Sequence, residues 1–432
     1  MVLKRIQLGL IHVAVAMTLV PINSTLNRVM IKELALSATL VALLAALPYL
    51  FSPIQVAIGS FSDRHPLLGF RRTPYIVLGL FLCVLGLVVS PQAAFLMDTN
   101  FAAGIGLGVL TFGAWGMGFN LATVSYLSLA TELSGERERS KTIAVMWFMM
   151  ITSIIVTAVI LSRLLDPYSP EALINAFWVV GLAALVLGLV GLIRLEGRSS
   201  RYQGAENLSW SRLFQAISGN RQAVVFFWYL TILLAAILGQ DILLEPFAGE
   251  AFGLTVRETT TITSIWGGCV LVALLIGGAL EGRLAKRTVV KWGAWVALGG
   301  FVMITLSGLT FNQVVFYAGV VLLGIGTGLS TVSNLALMFE MTTVEMVGLF
   351  IGAWGMSNAL SRLIGTVLSG VVRDLVTQVF QAPIMGYVVV FIIEAVMIAV
   401  SLVLLRKIDV RAFRQQADQP SVVERAAIAG DL

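Results

Sequence analysis

Charge, histidine and cysteine are all scarce in this chain of 432 residues: 12% are charged, two are histidine and two are cysteine. Cys83 and Cys269 each stand alone in an apolar run, which argues against a disulfide framework or a thiolate metal site. There is no Walker loop, no serine-elbow pattern and no cluster of metal ligands, so no enzyme chemistry and no metal are expected. What the chain has instead is apolar residue, at 58% hydrophobic and a mean hydropathy of +0.94. No soluble globule with one core accommodates that composition.

The apolar residues fall into twelve long segments, near 8–30, 36–60, 74–95, 101–130, 142–163, 172–194, 222–247, 261–280, 289–309, 313–338, 347–370 and 383–405. A hydrocarbon layer about 30 Å thick takes roughly 20 helical residues to cross. Backbone amides in lipid must bond within their own segment, so each run is expected to be helical. The expected fold is an all-α polytopic membrane protein with twelve transmembrane helices.

The longest internal polar connection, about 195–221, divides the twelve into six plus six. It sets a first six-helix half at 1–196, a cytoplasmic linker at 197–220, a second half at 221–407 and a polar cytoplasmic tail at 408–432. The halves echo each other. Tyr126-Leu-Ser-Leu-Ala-Thr-Glu132 lies over Asn334-Leu-Ala-Leu-Met-Phe-Glu340 at a constant offset, and Gly59-x-x-x-Asp63 has a weaker counterpart in Gly277-x-x-x-Glu281. Two pseudo-symmetric halves with a site between them are the pattern of secondary transporters. Gly104-x-Gly106-x-Gly108 and Gly324-x-Gly326-x-Gly328 fall inside apolar segments, where small residues allow close helix crossings and bind no dinucleotide.

Most of the 28 Lys and Arg sort to one side. Lys32, Arg163, Arg257 and Arg373 fall on the other, and Arg28 and Arg362 within segments. Both termini are therefore expected in the cytoplasm. The net charge of +5 follows from this sorting and from contact with anionic membrane lipid, and implies no nucleic-acid partner. Lys4-Arg5 leads into the first segment with no small-residue cleavage site, so no cleaved leader is expected.

The loop after the second segment, Gly59-Ser-Phe-Ser-Asp63-Arg64-His65-Pro66-Leu-Leu-Gly69-Phe-Arg71-Arg72-Thr-Pro74, is short, basic and rich in turn formers. Gly59, Asp63, Arg64, Gly69, Arg71 and Arg72 are expected to form a cytoplasmic gating loop. Their ionic partners would come from Glu132, Glu136, Arg137, Glu138, Arg139 and Lys141; the alternative is a loop that only sets topology. Its Gly-x-x-x-Asp-Arg … Gly-x-Arg-Arg pattern resembles the loop signature of the major facilitator superfamily, with His65-Pro66-Leu-Leu as an irregular filling.

Charges at membrane depth are costly and face a partner or a wet cavity. The first segment carries His12, Asn23, Asn27 and Arg28 and is followed by Lys32 and Glu33, and helical spacing puts His12, Asn23 and Asn27 on one face. The seventh carries Gln240, Asp241 and Glu245, followed by Pro246, which should interrupt the helix. Asn358 and Arg362 lie one turn apart in the eleventh, and Glu394 is in the twelfth. Asn23, Asn27, Arg28, Glu33, Gln240, Asp241, Glu245, Asn358, Arg362 and Glu394 are expected to form a central polar chamber. Fixed interhelical ion pairs that select one packing are the competing explanation. Arg28 and Asp241, in the first helices of the two halves, are expected to be coupled.

Leu26-Asn27-Arg28-Val-Met-Ile-Lys-Glu33-Leu34, Ser62-Asp63 with Gly69-Phe-Arg71-Arg72-Thr73-Pro74, and Gln240-Asp241-Ile-Leu-Leu-Glu245-Pro246 together resemble the PucC-like, or bacteriochlorophyll delivery, branch of that superfamily. The resemblance implies assembly of light-harvesting or photosystem complexes in a bacterial inner or photosynthetic membrane. Chlorophyll or bacteriochlorophyll would be the cargo, and light-harvesting or photosystem apoproteins and pigment-synthesis enzymes the partners. A chlorin's magnesium takes an axial nitrogen or oxygen. His12 is the simplest such ligand, with Asn23, Asn27 or a water held by Glu245 as alternatives. Trp115, Trp147, Phe148, Trp178, Phe227, Trp228, Trp266 and Trp354 are candidate ring contacts or ordinary packing residues. The alternative function is a secondary transporter of a small or amphipathic solute, with Asp241, Glu245 and Glu394 as proton carriers.

Overall fold

The computed structural model describes residues 2–198, 220–410 and 413, apart from 53, 55–57, 59, 60, 63, 64, 281, 282 and 341–346. Gly59, Asp63, Arg64 and Glu281 lie outside the described residues, as do nearly all of the 197–220 linker and of the 408–432 tail.

Helix follows the apolar runs. The elements are α1 (Val2–Glu33), α2 (Ala38–Leu50), α3 (Thr73–Thr99), α4 (Phe101–Gly135), α5 (Lys141–Leu164) and α6 (Pro170–Leu192). After the linker come α7 (Arg221–Gly239), α8 (Leu244–Phe252), α9 (Val256–Leu280), α10 (Lys286–Thr310), α11 (Gln313–Glu340), α12 (Val347–Phe380) and α13 (Pro383–Arg406). Eleven helical spans among the described residues are long and apolar enough to cross a membrane, and α2 is a shorter apolar helix. Local chemistry fixes the ends. Asn100 caps α4 by accepting from Ala103 N at 3.2 Å, Ser169 caps α6 through Ala172 N at 3.0 Å, and Asn220 caps α7 through Gln222 N at 2.9 Å.

Two crossings depart from a regular helix. In α1 the turns widen to i→i+5 over Pro21–Leu26 and again over Val29–Glu33. Each such turn adds a residue and slips the helical phase. The seventh crossing breaks at the tight turn Gln240–Ile242, and Pro246 falls in the first turn of α8, where its missing N–H is tolerated. The interruption expected at Pro246 is there, placed a few residues earlier. Between α4 and α5 the chain stays helical except at Gly135, whose φ of 62° breaks the run.

Glycine contacts recur in the two halves. α3 meets α4 so closely that a Cβ on Gly79 would stand 2.6 Å from Ala122 N, and one on Gly86 2.6 Å from Trp115 N. α10 meets α11 in the same way, with Gly293 against Gly326 and Ser330, and Gly300 against Gly319 and Leu323. Gly79 and Gly86 match Gly293 and Gly300 at one offset. Their partners on α4 and α11 match at the offset already read from Tyr126 and Asn334. Backbone proximity that only glycine permits is thus the physical content of the repeat.

Successive crossings alternate direction, which gives the bundle two faces. The terminal face holds the start of α1, the 65–72 loop and the end of α13. The distal face holds the 34–37, 165–169 and 253–255 connections.

Candidate functional site: a cavity between the two halves

A cavity of about 260 Å³ lies at the centre of the bundle, lined from α1 and α5 of the first half and from α7, α8, α9, α11 and α12 of the second. Its size is near the lower end of the roughly 300–1,000 Å³ common for ligand sites. Much of the wall is apolar, and three tryptophans, Trp147, Trp266 and Trp354, stand in it. The polar lining includes Asn23, Ser24, Gln240, Asp241, Glu245, Thr263, Asn334, Asn358 and Arg362. The cavity reaches from Glu245 towards Trp147, Leu274 and Trp354, each within about two turns of the terminal-face end of its helix.

Six of the ten expected chamber residues line it. Asn23 does so from the first widened turn of α1. Gln240 donates through Nε2 to Asp241 Oδ1 at 2.7 Å, and Arg362 reaches Asp241 Oδ2 at 3.4 Å while its guanidinium lies 5.6 Å from the Tyr49 ring centroid. Glu245 is 2% exposed and accepts from the Ser24 and Thr263 hydroxyls through one oxygen, so it bridges the two halves. Asn358 donates to Trp354 O at 3.0 Å.

The other four lie elsewhere. Asn27 is buried and donates to Asn23 O at 2.8 Å. Arg28 is 1% exposed, pairs with Glu33 and donates to Leu254 O at 2.9 Å. Glu394 accepts from Ser369 Oγ at 3.1 Å beside a water-sized gap among α7, α12 and α13. The structure shows no direct ion pair between Arg28 and Asp241, the two residues expected to be coupled: Arg28 pairs with Glu33, and Asp241 with Arg362. The reason is local. The widened turn at Val29–Glu33 puts residues five apart on one face, which regular helical spacing does not.

His12, 6% exposed, packs against Tyr126 at 5.2 Å between ring centroids and edge-on to Trp147 at 6.3 Å, outside the cavity lining. It lies about two turns before Leu19, where the cavity lining on α1 begins. Of the other aromatic candidates, Trp115 is fully buried and donates to Thr18 Oγ1 at 3.0 Å, while Phe148, Trp178 and Trp228 face outward.

At the terminal face, Leu67–Phe70 forms a tight turn with positive φ at Leu68 and Gly69, the backbone state that glycine favours. Arg71 and Arg72 both pair with Glu132 at 3.0 Å, and Arg72 donates to Ser62 Oγ at 2.7 Å. Sequence reasoning missed Glu196. Its carboxylate accepts from the backbone N–H groups of Arg71 (2.8 Å), Arg72 (3.1 Å) and Thr73 (2.7 Å) and from Thr73 Oγ1 (2.7 Å), capping α3 from the far end of the same half.

A second cluster that sequence reasoning missed joins the halves at the distal face. Asp374 on α12 accepts from Ser37 Oγ (2.6 Å), Ala38 N (3.2 Å), Thr39 N (2.8 Å) and Thr39 Oγ1 (2.7 Å), so it caps α2 across the interface. Arg373 beside it pairs with Glu250 at 3.0 Å, and the Tyr387 hydroxyl donates to Glu250 at 2.8 Å. Thr25 with Thr260 (3.2 Å), Arg28 with Leu254 O, and Arg257 with Asp166 add further cross-half contacts at this end. The adjacent charges Arg373-Asp374 were the available signal.

An all-helical bundle with repeated halves and a central cavity is the architecture of major facilitator carriers. The structure resembles a bacterial homologue of the human lysosomal transporter Spinster, in its inward-facing, unoccupied conformation, with a TM-score of 0.74 over 97% of this chain and 98% of that one. At 12% identity this likeness speaks for the fold alone. The chain belongs to the PUCC protein family, whose model matches residues 25–413. It is 31% identical to Protein PucC of Rhodobacter capsulatus over 92% of this chain and 90% of that protein. It is also 28% identical to a "Bacteriochlorophyll synthase 44.5 kDa chain" of the same species, over 92% and 94%.

Proposed function

We propose that this protein is an assembly factor for photosynthetic light-harvesting or photosystem complexes, and that it handles chlorophyll or bacteriochlorophyll, newly made pigment-binding apoprotein, or both. The carrying observation is the family match over residues 25–413, which spans both halves and every cavity-lining residue except those of α1. The relative named for bacteriochlorophyll synthesis supports pigment as the cargo. A cavity with apolar walls, three tryptophans and a polar end suits a flat amphipathic molecule.

The terminal face is the cytoplasmic one in this reading, as the sorting of basic residues indicates. The cavity then approaches the side on which pigment-synthesis enzymes and nascent apoprotein would meet it, and the Asp374 cluster closes the other side. His12 keeps a lesser claim as a magnesium ligand. Its Nδ1 is buried without a partner, but its ring is packed on Tyr126 away from the cavity.

The test is deletion of the gene in a pigmented host, with each pigment–protein complex quantified. Loss of at least one complex, restored by the intact gene, is expected. Unchanged accumulation under every light regime would sink the assembly role.

A further inference from the structure

The part of the cavity wall formed by α5 and α9 is also part of the outer surface. Both helices are long and apolar enough to span a membrane, and Phe148 and Val156 on α5, with Val272 and Leu275 on α9, are exposed side chains that suit contact with lipid. Trp147 belongs to both surfaces, since it lines the cavity and is 44% exposed. The two helices are close at Gly267, where a Cβ would stand 3.1 Å from Ile155 Cγ1, and at the distal end Arg257 pairs with Asp166. Leu274 and Gly278 follow Gly267 after about two and about three turns, so they share the side of α9 that meets α5. Along that side, contact at Gly267 gives way to cavity lining at Leu274 and then to open space at Gly278, where a Cβ would meet nothing within 4 Å. The facing side of α5 runs the same way, from Ile155 through Ile151, which lines the cavity, to the exposed Phe148. The seam between the two helices therefore opens towards the terminal face. Its walls are apolar, with Met150, Ile151 and Ile154 on α5 and Val270 and Leu274 on α9.

At the inner end of the seam stand polar groups that lack partners. Glu245 Oε2 and Gln240 Oε1 are acceptors without a donor, and Trp266 Nε1, one turn from the Thr263 that bonds Glu245, is a donor without an acceptor. Buried groups left in that state are costly. The charges, in contrast, are matched: Asp241 pairs with Arg362, and Arg28 lies within electrostatic reach of Glu245. We infer that the seam between α5 and α9 is a lateral opening from the bilayer, and that it admits a single-chain amphiphile with an uncharged hydroxyl head. A hydroxyl donates once and accepts twice, so it answers both kinds of unmet group. A charged head would upset charges that are already matched, at a depth where an unpaired charge is expensive. The chain lies in the apolar seam and continues into the bilayer. Only the head and the first part of the chain then need the cavity's volume of about 260 Å³. The opening stands whether or not the protein handles pigment.

The experiment uses the full-length chain in phosphatidylcholine vesicles, with a bimane label at Leu274→Cys in a Cys269→Ser background; Cys83 is buried. The vesicles are doped with brominated oleyl alcohol, or with the acid or the amine of the same chain, whose bromines quench the label on contact. A label at the outward-facing Val156→Cys reports simple partition into the bilayer. With the alcohol, quenching at position 274 should reach its midpoint at a mole fraction at least about tenfold below that at position 156, the size of satisfying one buried polar group. The acid and the amine should show no such gap. Gly278→Phe, which fills the open space one turn from Leu274, should abolish the gap for the alcohol. Quenching at position 274 by aqueous iodide but not by the brominated alcohol means a cavity open to water alone, and overturns the inference. Equal responses to the three heads overturn it too, a comparison that needs no change in the seam, as does a gap that survives Gly278→Phe. Complex assembly is tested separately in the deletion strain, so failure of either reading leaves the other measurable.

Discussion

Removing the Asp374 carboxylate should loosen the distal face by a predictable amount. One of its oxygens takes three hydrogen bonds, from Ser37 Oγ, Thr39 N and Thr39 Oγ1, and the other takes Ala38 N and the Arg373 guanidinium. The side chain is 13% exposed, so solvent replaces these bonds only in part. Loss of a helix-capping side chain costs about 0.5–2 kcal/mol, and loss of a negative charge at a helix N-terminus about 0.3–1 kcal/mol more. Asp374→Ala should therefore destabilise the closed distal face by about 2 kcal/mol, a roughly 30-fold larger opening constant. Asp374→Asn keeps one acceptor and should cost about 1 kcal/mol, roughly fivefold. Hydrogen–deuterium exchange of the purified protein reads this directly, because the Ala38 and Thr39 amides are the capped donors. Both should exchange faster in the order unmodified, Asn, Ala, while amides in the middle of α3 and α10 stay unchanged. Adding Thr39→Val to Asp374→Ala should give less than the sum of the single effects, since the two share bonds. Equal protection of Ala38 and Thr39 in Asp374→Ala and the unmodified protein would refute the reasoning.

Other outcomes follow from the remaining contacts. Glu196→Ala strips the N-terminus of α3 of its cap and should lower stability by about 1–2 kcal/mol, read as an earlier thermal transition in detergent, with Glu196→Gln intermediate. Gly79→Ala and Gly300→Ala press a Cβ against backbone at 2.6 Å and 2.7 Å respectively, so each should cost about 1–3 kcal/mol; if either is neutral in the same melt, the close crossing in that half is wrong. Exchanging the charges of Asp241 and Arg362 together should recover part of the folded protein lost by reversing either alone. The same exchange between Arg28 and Asp241 should recover none, and a double-mutant cycle on membrane-inserted protein separates the two.

The membrane fold was written in the sequence because its causes are local. Twelve apolar runs, each bounded by caps, prolines or charge, leave the backbone no option in lipid except helix. The repeat was legible too, since the offset between Tyr126 and Asn334 is the one that later aligned the partners of Gly79, Gly86, Gly293 and Gly300. The break at Pro246 was visible because proline acts on its own chain. Asp241, Glu245, Asn358 and Arg362 could be named as a group because charge and amide at membrane depth are rare enough to count.

Partner choice was not legible. Helical spacing put His12, Asn23 and Asn27 on one face, but His12 lies about two turns short of the cavity, packed on Tyr126, and of the three only Asn23 lines it. The widened turn at Val29–Glu33 gave Arg28 to Glu33, and Asp241 pairs with Arg362 on α12. Glu394 has the composition of a chamber residue and lies behind α7, against Ser369. Glu196 and Asp374 serve helix ends far away in sequence, and nothing in their own neighbourhoods announces it. Helix and repeat depend on interactions within a few residues or at a fixed offset along the chain, so the sequence alone determined them. Which carboxylate meets which donor depends on how far each helix turns and slides against its neighbours, and only the packed tertiary structure decided that.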